Sequence, residues 1–209
     1  MRIVIISDTH GNHEELGELS GDILIHCGDF CDGFHVDEDD LFRIDRWFGS
    51  LNFKQVICVG GNHDFVAQER RAQDDANTVF ENAAYLQDES YEFSGLKFYG
   101  SPWLPDLEGW AYFMEDDQRE TQWELIPDDT DILITHTPPL GILDKPRSGY
   151  SVGCSFLRQR LEDLSLRFHC FGHVHASYGQ WDESLTTFYN ASSVDSDYNI
   201  RNAPIVVEL

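Results

Sequence analysis

Three short, nearly unbroken β-branched runs lie within the first 60 residues, at 2–7, 22–27 and 54–59, and each stops abruptly at an Asp or a Gly. Runs of this length without polar alternation suit strands covered on both faces, as in parallel sheets sheltered by helices. Between the second and third, residues 37–52 carry Leu41, Ile44, Phe48 and Leu51 at spacings of three and four, one face of a helix. Strand, helix, strand in that order implies parallel neighbours joined by right-handed crossovers. A weaker amphipathic segment at 64–75, rich in Arg and Gln, follows as a second helix.

From residue 78 onward the texture changes. Short strands are predicted at 78–81, 91–94, 96–100, 131–135, 167–171, 178–182, 186–190 and 205–208, several near enough in sequence to form hairpins. Ser94-Gly95 marks a tight turn between two of them. Residues 155–164, after Gly153, form the one clear helix of this half, and the aromatic, acidic stretch 102–127 reads as a long loop with a helical turn. No internal repeat or linker interrupts the pattern. The expected architecture is therefore α/β, two packed mixed sheets flanked by helices, in one domain over residues 1–209. With 209 residues, 41% of them hydrophobic, the chain can bury a sizeable core.

Charge narrows the function classes. Asp and Glu number 38 against 14 Lys and Arg, a formal net charge of −24. Long nucleic acids are not expected partners, because affinity for them is built from basic groups that neutralise phosphates. A phosphate-bearing substrate would need bound divalent cations to attract it. The longest aliphatic run, Ile3 to Ile6, is far below the roughly 18 residues of a membrane span and the roughly 7 of a signal peptide core, so no membrane association or export is expected. The five cysteines show no Cys-x-x-Cys pair and no disulfide spacing, which fits a reducing cytoplasm. Cys27, Cys58 and Cys170 read as small core residues, and Cys31 is not expected to bind metal. Nothing in the sequence indicates an oligomeric state.

The chemistry sits where the strands end. Asp8-Thr9-His10 follows the first strand, Gly28-Asp29 the second, Gly60-Gly61-Asn62-His63-Asp64 the third, Thr135-His136 a later one and Gly172-His173-Val174-His175 another. In open α/β sheets the carboxyl ends of parallel strands border the ligand crevice, so these five segments should converge. Asp8, His10, Asp29, Asn62, His136, His173 and His175 then supply seven oxygen and nitrogen donors, too many for one four-coordinate ion. They suit two adjacent divalent ions sharing one carboxylate. Imidazole, carboxylate and amide together favour Mn, Fe, Zn, Co or Ni over Ca or Mg. His26 and His169, inside strand runs, read as core residues.

These five segments resemble, in order and spacing and over essentially the whole chain, the calcineurin-like metallophosphoesterase superfamily. The strings from Thr135 to Asp144, Val152-Gly153-Cys154 and Tyr189-Asn190-Ala191-Ser192 look like those of the metallophosphoesterase-domain-containing proteins known from animal brain. The resemblance implies a four-layer α-β-β-α sandwich. It also implies that Asp8, His10 and His175 hold one metal, that Asn62, His136 and His173 hold the other, and that Asp29 bridges them. His63 would not be a ligand but would protonate or stabilise the leaving oxygen, oriented by either Asp64 or Asp32. The segment Gly28-Asp29-Phe30-Cys31-Asp32-Gly33 lacks the Arg that follows in phosphoprotein phosphatases, which weighs against a protein substrate.

The expected enzyme is a phosphoric ester hydrolase with two divalent ions, manganese or iron foremost and zinc, nickel or cobalt as alternatives. Small phosphodiesters, cyclic or short nucleotides, are the preferred substrates, with phosphomonoesters next and a nuclease last. Arg147, His13 and His35 are candidate substrate-binding residues, and Lys145 lies in the same loop as Arg147. A metal-bearing scaffold without turnover is disfavoured, because no ligand and no proton donor has been lost.

Overall fold

In a computed structural model, residues 1–32, 38–73 and 79–209 are described. The amino-terminal half supplies β1 (Arg2–Ile6), β2 (Ile23–His26), β3 (Gln55–Cys58) and β4 (Ala84–Tyr85), with α1 (Glu38–Ser50) and α2 (Phe65–Gln73) between them. The remainder supplies β5 (Glu89–Phe93), β6 (Leu96–Ser101), α3 (Asp116–Trp123), β7 (Ile132–Thr135), α4 (Ser155–Leu161), β8 (Phe168–Phe171), β9 (Gly179–Glu183), β10 (Thr186–Asn190) and β11 (Ile205–Glu208). Two mixed sheets result, in the orders β11-β1-β2-β3-β4 and β5-β6-β7-β8-β10-β9. Strands β1 to β4 run parallel, as do β6, β7, β8 and β10; β11, β5 and β9 close the edges in antiparallel sense.

Strand pleating explains why the apolar runs need no polar alternation. In β1, Val4 and Ile6 point into the cluster formed with Leu41, Ile44, Phe48 and Val66 of the helices. Ile3 and Ile5 point the other way, into a second cluster shared with Phe98, Ile132 and Ile134 of the opposite sheet. On the far side Leu133 packs with Trp123 and Leu157 of α3 and α4. Helix, sheet, sheet, helix is thus the order of the layers, and every central strand is apolar on both faces. Ser94 and Gly95, at φ 52° and 80°, make the tight β5–β6 turn.

Three elements differ from the sequence expectation. The strand predicted at 78–81 is absent from its described residues, and pairing to β3 is made by Ala84–Tyr85 instead. The reason is local: the Asp45 carboxylate of α1 accepts the Glu81 and Asn82 N–H groups at 3.1 and 2.9 Å, taking donors a ladder would need. The stretch 102–127 contains a two-turn helix, α3, in which only Arg119 and Trp123 are buried. With so narrow an apolar contact its periodicity does not register. The helix predicted over 155–164 ends at Leu161, since Asp163 and Leu164 turn back on the carbonyls of Arg160 and Leu161.

Candidate metal centre

The five strand-end segments meet at one end of the two sheets. Main-chain hydrogen bonds continue past the strands and hold the loops together: Asp8 N–H donates to Gly28 O, His10 N–H to Asp29 O, and Gly172 N–H to His136 O, all within 2.9–3.1 Å. Asp8, His10, Asp29 and His173 take positive φ values of 53°, 42°, 55° and 67°. Left-handed backbone costs a non-glycine residue about 1–2 kcal/mol, so these positions carry strain that turns side chains toward a common point. Close approach also demands glycine. A Cβ at Gly172 would strike Ser7 Oγ and the Asp8 carboxylate, and one at Gly61 the Asp29 carboxylate.

The donor atoms converge from both sheets. His175 Nε2 lies 3.4 Å from Asp8 Oδ1 and 3.4 Å from His10 Nε2. Asn62 Oδ1 lies 3.2 Å from His136 Nε2 and 3.0 Å from His173 Nδ1. Asp29 Oδ2 stands between the two groups, 3.3 Å from His136 Nε2 and 3.8 Å from His10 Nε2. Its other oxygen accepts the His63 N–H at 2.8 Å. Among the described residues, three overlapping sets of donors therefore lie within coordinating reach: Asp8 with His10 and His175, Asp8 with Asp29 and His136, and His10 with Asp29 and His63.

Neighbouring groups fix the ligands before any ion arrives. His136 Nδ1–H donates to Cys27 O at 2.7 Å, which selects the tautomer that turns Nε2 inward. Ser192 Oγ donates to Asp8 Oδ2 at 2.8 Å, and the His173 N–H reaches the same carboxylate. Burial alone would raise the Asp8 and Asp29 pKa values, yet the surrounding histidines hold both carboxyls below their ordinary range. Burial lowers His173 to about 3 and His10 to about 4, leaving neutral rings with lone pairs to offer. His136 is also desolvated, but Asp29 and Asp8 outweigh this and push it up to about 9. Two ionised carboxylates, the neutral rings of His10 and His173, and two further imidazoles, His136 and His175, that the carboxylates hold toward the charged form until a cation displaces the proton, fit divalent cations of the Mn, Fe or Zn type.

His63 stands at the edge of this cluster, its ring 4.6 Å from that of His10. Its Nδ1–H donates to the main-chain carbonyl of Asp32 at 3.0 Å, which makes Nδ1 the donor nitrogen of the ring. That bond is to the main chain of Asp32 and not to its carboxylate. Asp64 has a different task. Fully buried, it accepts N–H bonds from Asp29 and Gly61 through Oδ2 and from Cys31 through Oδ1, at 2.7–2.9 Å, and so ties the second strand-end loop to the third. Asp64→Ala would leave three buried donors without an acceptor, at about 1–3 kcal/mol each. Urea unfolding is expected to show a loss on the order of 3 kcal/mol or more; less than about 1 kcal/mol would contradict the pinning role.

The predicted substrate-binding residues fare differently. Arg147 makes a two-pronged ion pair with Asp197 at 3.2 and 3.1 Å and does not line the cavity over the donors. In a chain so rich in carboxylates, a surface cation is readily claimed by one of them. His13 is buried against Trp47, ring centroids 4.9 Å apart, and borders a different cavity beside α1; the turn at Gly11, φ 76°, sends the chain away from the centre. His35 lies outside the described residues, and the Lys145 side chain is exposed. His26 and His169 are core residues as expected, bonded at 3.0 and 2.9 Å to Thr9 and Thr135. All five cysteines are free and buried. Sequence reasoning assigned no role to Ser192, Trp110 or Tyr198; the Asn190-Ala191-Ser192 string was visible, while nothing marked Trp110 within its acidic loop.

The sequence pattern of the calcineurin-like phosphoesterase family matches residues 1–177. The chain belongs to this family. It is 34% identical over 233 aligned positions to human Metallophosphoesterase domain-containing protein 1, the alignment covering all of this chain and 71% of the human protein. A Caenorhabditis elegans relative, UPF0046 protein C25E10.12, is also 34% identical, over 230 positions covering 100% of this chain and 81% of that protein. Among solved structures, TT1561 of Thermus thermophilus superposes with a TM-score of 0.65 at 16% identity, over 93% of this chain and 89% of that one, and shares the fold. The phosphoesterase is thus a metal-dependent phosphoric ester hydrolase, from a family whose members use a dinuclear metal centre. No helix among the described residues is long and apolar enough to cross a membrane.

Proposed function

We propose that the phosphoesterase hydrolyses small phosphodiesters, cyclic or short nucleotides among them, with Mn or Fe ions at the centre and Zn, Ni or Co as substitutes. Asp8, His10 and His175 hold one ion, Asn62, His136 and His173 the other, and Asp29 serves both. The observation that carries this reading is the placing of Asp29 Oδ2 between two donor groups, with His63 beside them at the floor of an open cavity of about 400 Å³. Bound metals would supply an acidified water and neutralise the phosphate oxygens. His63, steadied by the Asp32 carbonyl, delivers a proton through Nε2 to the departing oxygen. The reducing cytoplasm suits five buried thiols.

Preference for a diester over a monoester rests on the lining of that cavity. Among the described residues it includes no Lys or Arg to grip a second negative charge, and it offers Leu107, Trp110 and Tyr198 to an organic substituent. Chelation is expected to abolish turnover and Mn to restore it. The test is a panel of chromogenic mono- and diesters and natural nucleotides, each with Mn, Fe, Ni, Zn and Mg. Undiminished activity in verified metal-free protein would overturn the dinuclear mechanism, and faster turnover of monoesters would replace the diester reading with a phosphatase.

A further inference from the structure

Among the described residues, two aromatic side chains, Trp110 and Tyr198, border the reaction centre without belonging to the donor set. The Trp110 ring lies 4.8 Å from that of His63, and the Tyr198 ring lies 4.8 Å from His10, 5.1 Å from His175 and 6.4 Å from His63. Both line the cavity above Asp29. Each is held by its loop. Trp110 N–H donates to Leu107 O at 2.9 Å, and the next residue, Ala111, donates to Asn62 O, which ties this loop to a metal-bearing one. Tyr198 N–H donates to Asp195 O at 3.0 Å, while Asp195 Oδ1 accepts from the N–H groups of Asp197 and Asn199.

Tyr198 is the more telling of the two. Its φ of 62° is a conformation that a bulky side chain disfavours, and the residue remains 49% exposed. Core packing accounts for neither feature. Strain of this kind persists where surrounding structure over-determines it, commonly at ligand clamps. The cavity lining, lacking Lys and Arg among the described residues, gives the part of a substrate beyond its phosphate no cation to hold. Aromatic surface beside the proton donor is what it offers.

We propose that Trp110 and Tyr198 stack on the planar group of the ester, a nucleobase or aryl ring, and thereby decide which esters the centre turns over. The proposal rests on the phosphodiesterase reading for its substrate class. Trp110, its ring 4.8 Å from that of His63, places that planar group on the leaving side, with Tyr198 nearer to His10 and His175. Stacking of one base on an aromatic side chain strengthens binding by about ten- to a hundred-fold and tolerates any base, since every base has a π-face.

The test has a binding arm and a turnover arm, both on the Mn-loaded full chain. In the first, adenosine 5′-monophosphate and ribose 5-phosphate are titrated by calorimetry. The nucleotide is expected to bind about ten-fold or more tighter. Trp110→Leu and Tyr198→Leu should each cut that ratio several-fold and the double variant should bring it near one, while Trp110→Phe and Tyr198→Phe keep it. Because the ratio is taken on one preparation, partial misfolding cancels. Equal binding of the two ligands to the unaltered protein, or a ratio that survives in the double Leu variant, overturns the stacking role.

In the second arm, the 2′,3′-cyclic phosphates of adenosine, uridine and methyl riboside are compared; they share the reacting phosphate and differ in the base. Specificity is expected to fall in that order, and to flatten in the Leu variants. A flat series in the unaltered protein overturns the proposal. If none of the three is hydrolysed while the binding ratio behaves as described, stacking stands and the phosphodiesterase reading fails.

Discussion

Asp29→Ala is expected to empty the centre of both metal ions, whereas His10→Ala empties only one. The asymmetry follows from geometry: Asp29 Oδ2 faces His136 Nε2 and His10 Nε2 at 3.3 and 3.8 Å, while the sets that contain His10, with Asp8 and His175 and with Asp29 and His63, include neither His136 nor His173. Losing the shared carboxylate also leaves His136, a ring whose raised pKa depends first on Asp29, with less reason to face inward. Metal assistance to phosphate hydrolysis is worth several kcal/mol, so turnover should fall by at least about 10³. Elemental analysis after dialysis checks the stoichiometry. One ion retained by Asp29→Ala, or none by His10→Ala, would contradict the assignment of the shared ligand.

His63→Ala is expected to keep both ions and lose catalysis. General-acid assistance is worth about 10² to 10⁴ in rate, so esters with alkoxide leaving groups such as nucleotides should lose that much. For p-nitrophenyl esters the loss should shrink, because a phenolate departs with little help from a proton. An equal loss on both substrates would make His63 a phosphate-binding residue. Loss of metal would make it a ligand, an outcome its proximity to His10 and Asp29 renders worth measuring. His63→Ala also removes the ring that Trp110 packs against, so the Trp110→Phe variant, which preserves that contact, is the control for side-chain disorder.

Much of the centre was legible because its residues sit at strand ends. The parallel core of β1, β2 and β3 could be read from apolar runs alone, since strands buried on both faces need no polar alternation, and the first polar residue after each run had to lie at the crevice. The seven residues read as candidate donors come together at that end of the sheets, around Asp29 and Asn62. The strand at Ala84–Tyr85 and the helix Asp116–Trp123 were not, because the first is placed by a carboxylate on a neighbouring helix and the second buries only Arg119 and Trp123. Arg147 and His13 lie off the cavity over the donors, because nearness in sequence to a strand end says nothing about which way the chain turns after it. Gly11 and Asp197 made that choice.

From the amino-acid order alone came the layered α/β fold, the donor set and the glycines that let donors approach, because each is encoded within a few residues of a strand. Only the tertiary structure decided how the candidate donor atoms group, which main-chain carbonyl bonds His63, and which aromatic rings lie beside it. His10 and His175 meet across 165 positions of chain, His136 reaches Cys27 across 109, and the Asp32 carbonyl that holds His63 belongs to a different loop. Such contacts depend on the packing of one sheet against another and on the positive-φ turns that end its strands. No local pattern carries that information, since a main-chain carbonyl is present at every residue and only the folded path brings one of them to His63.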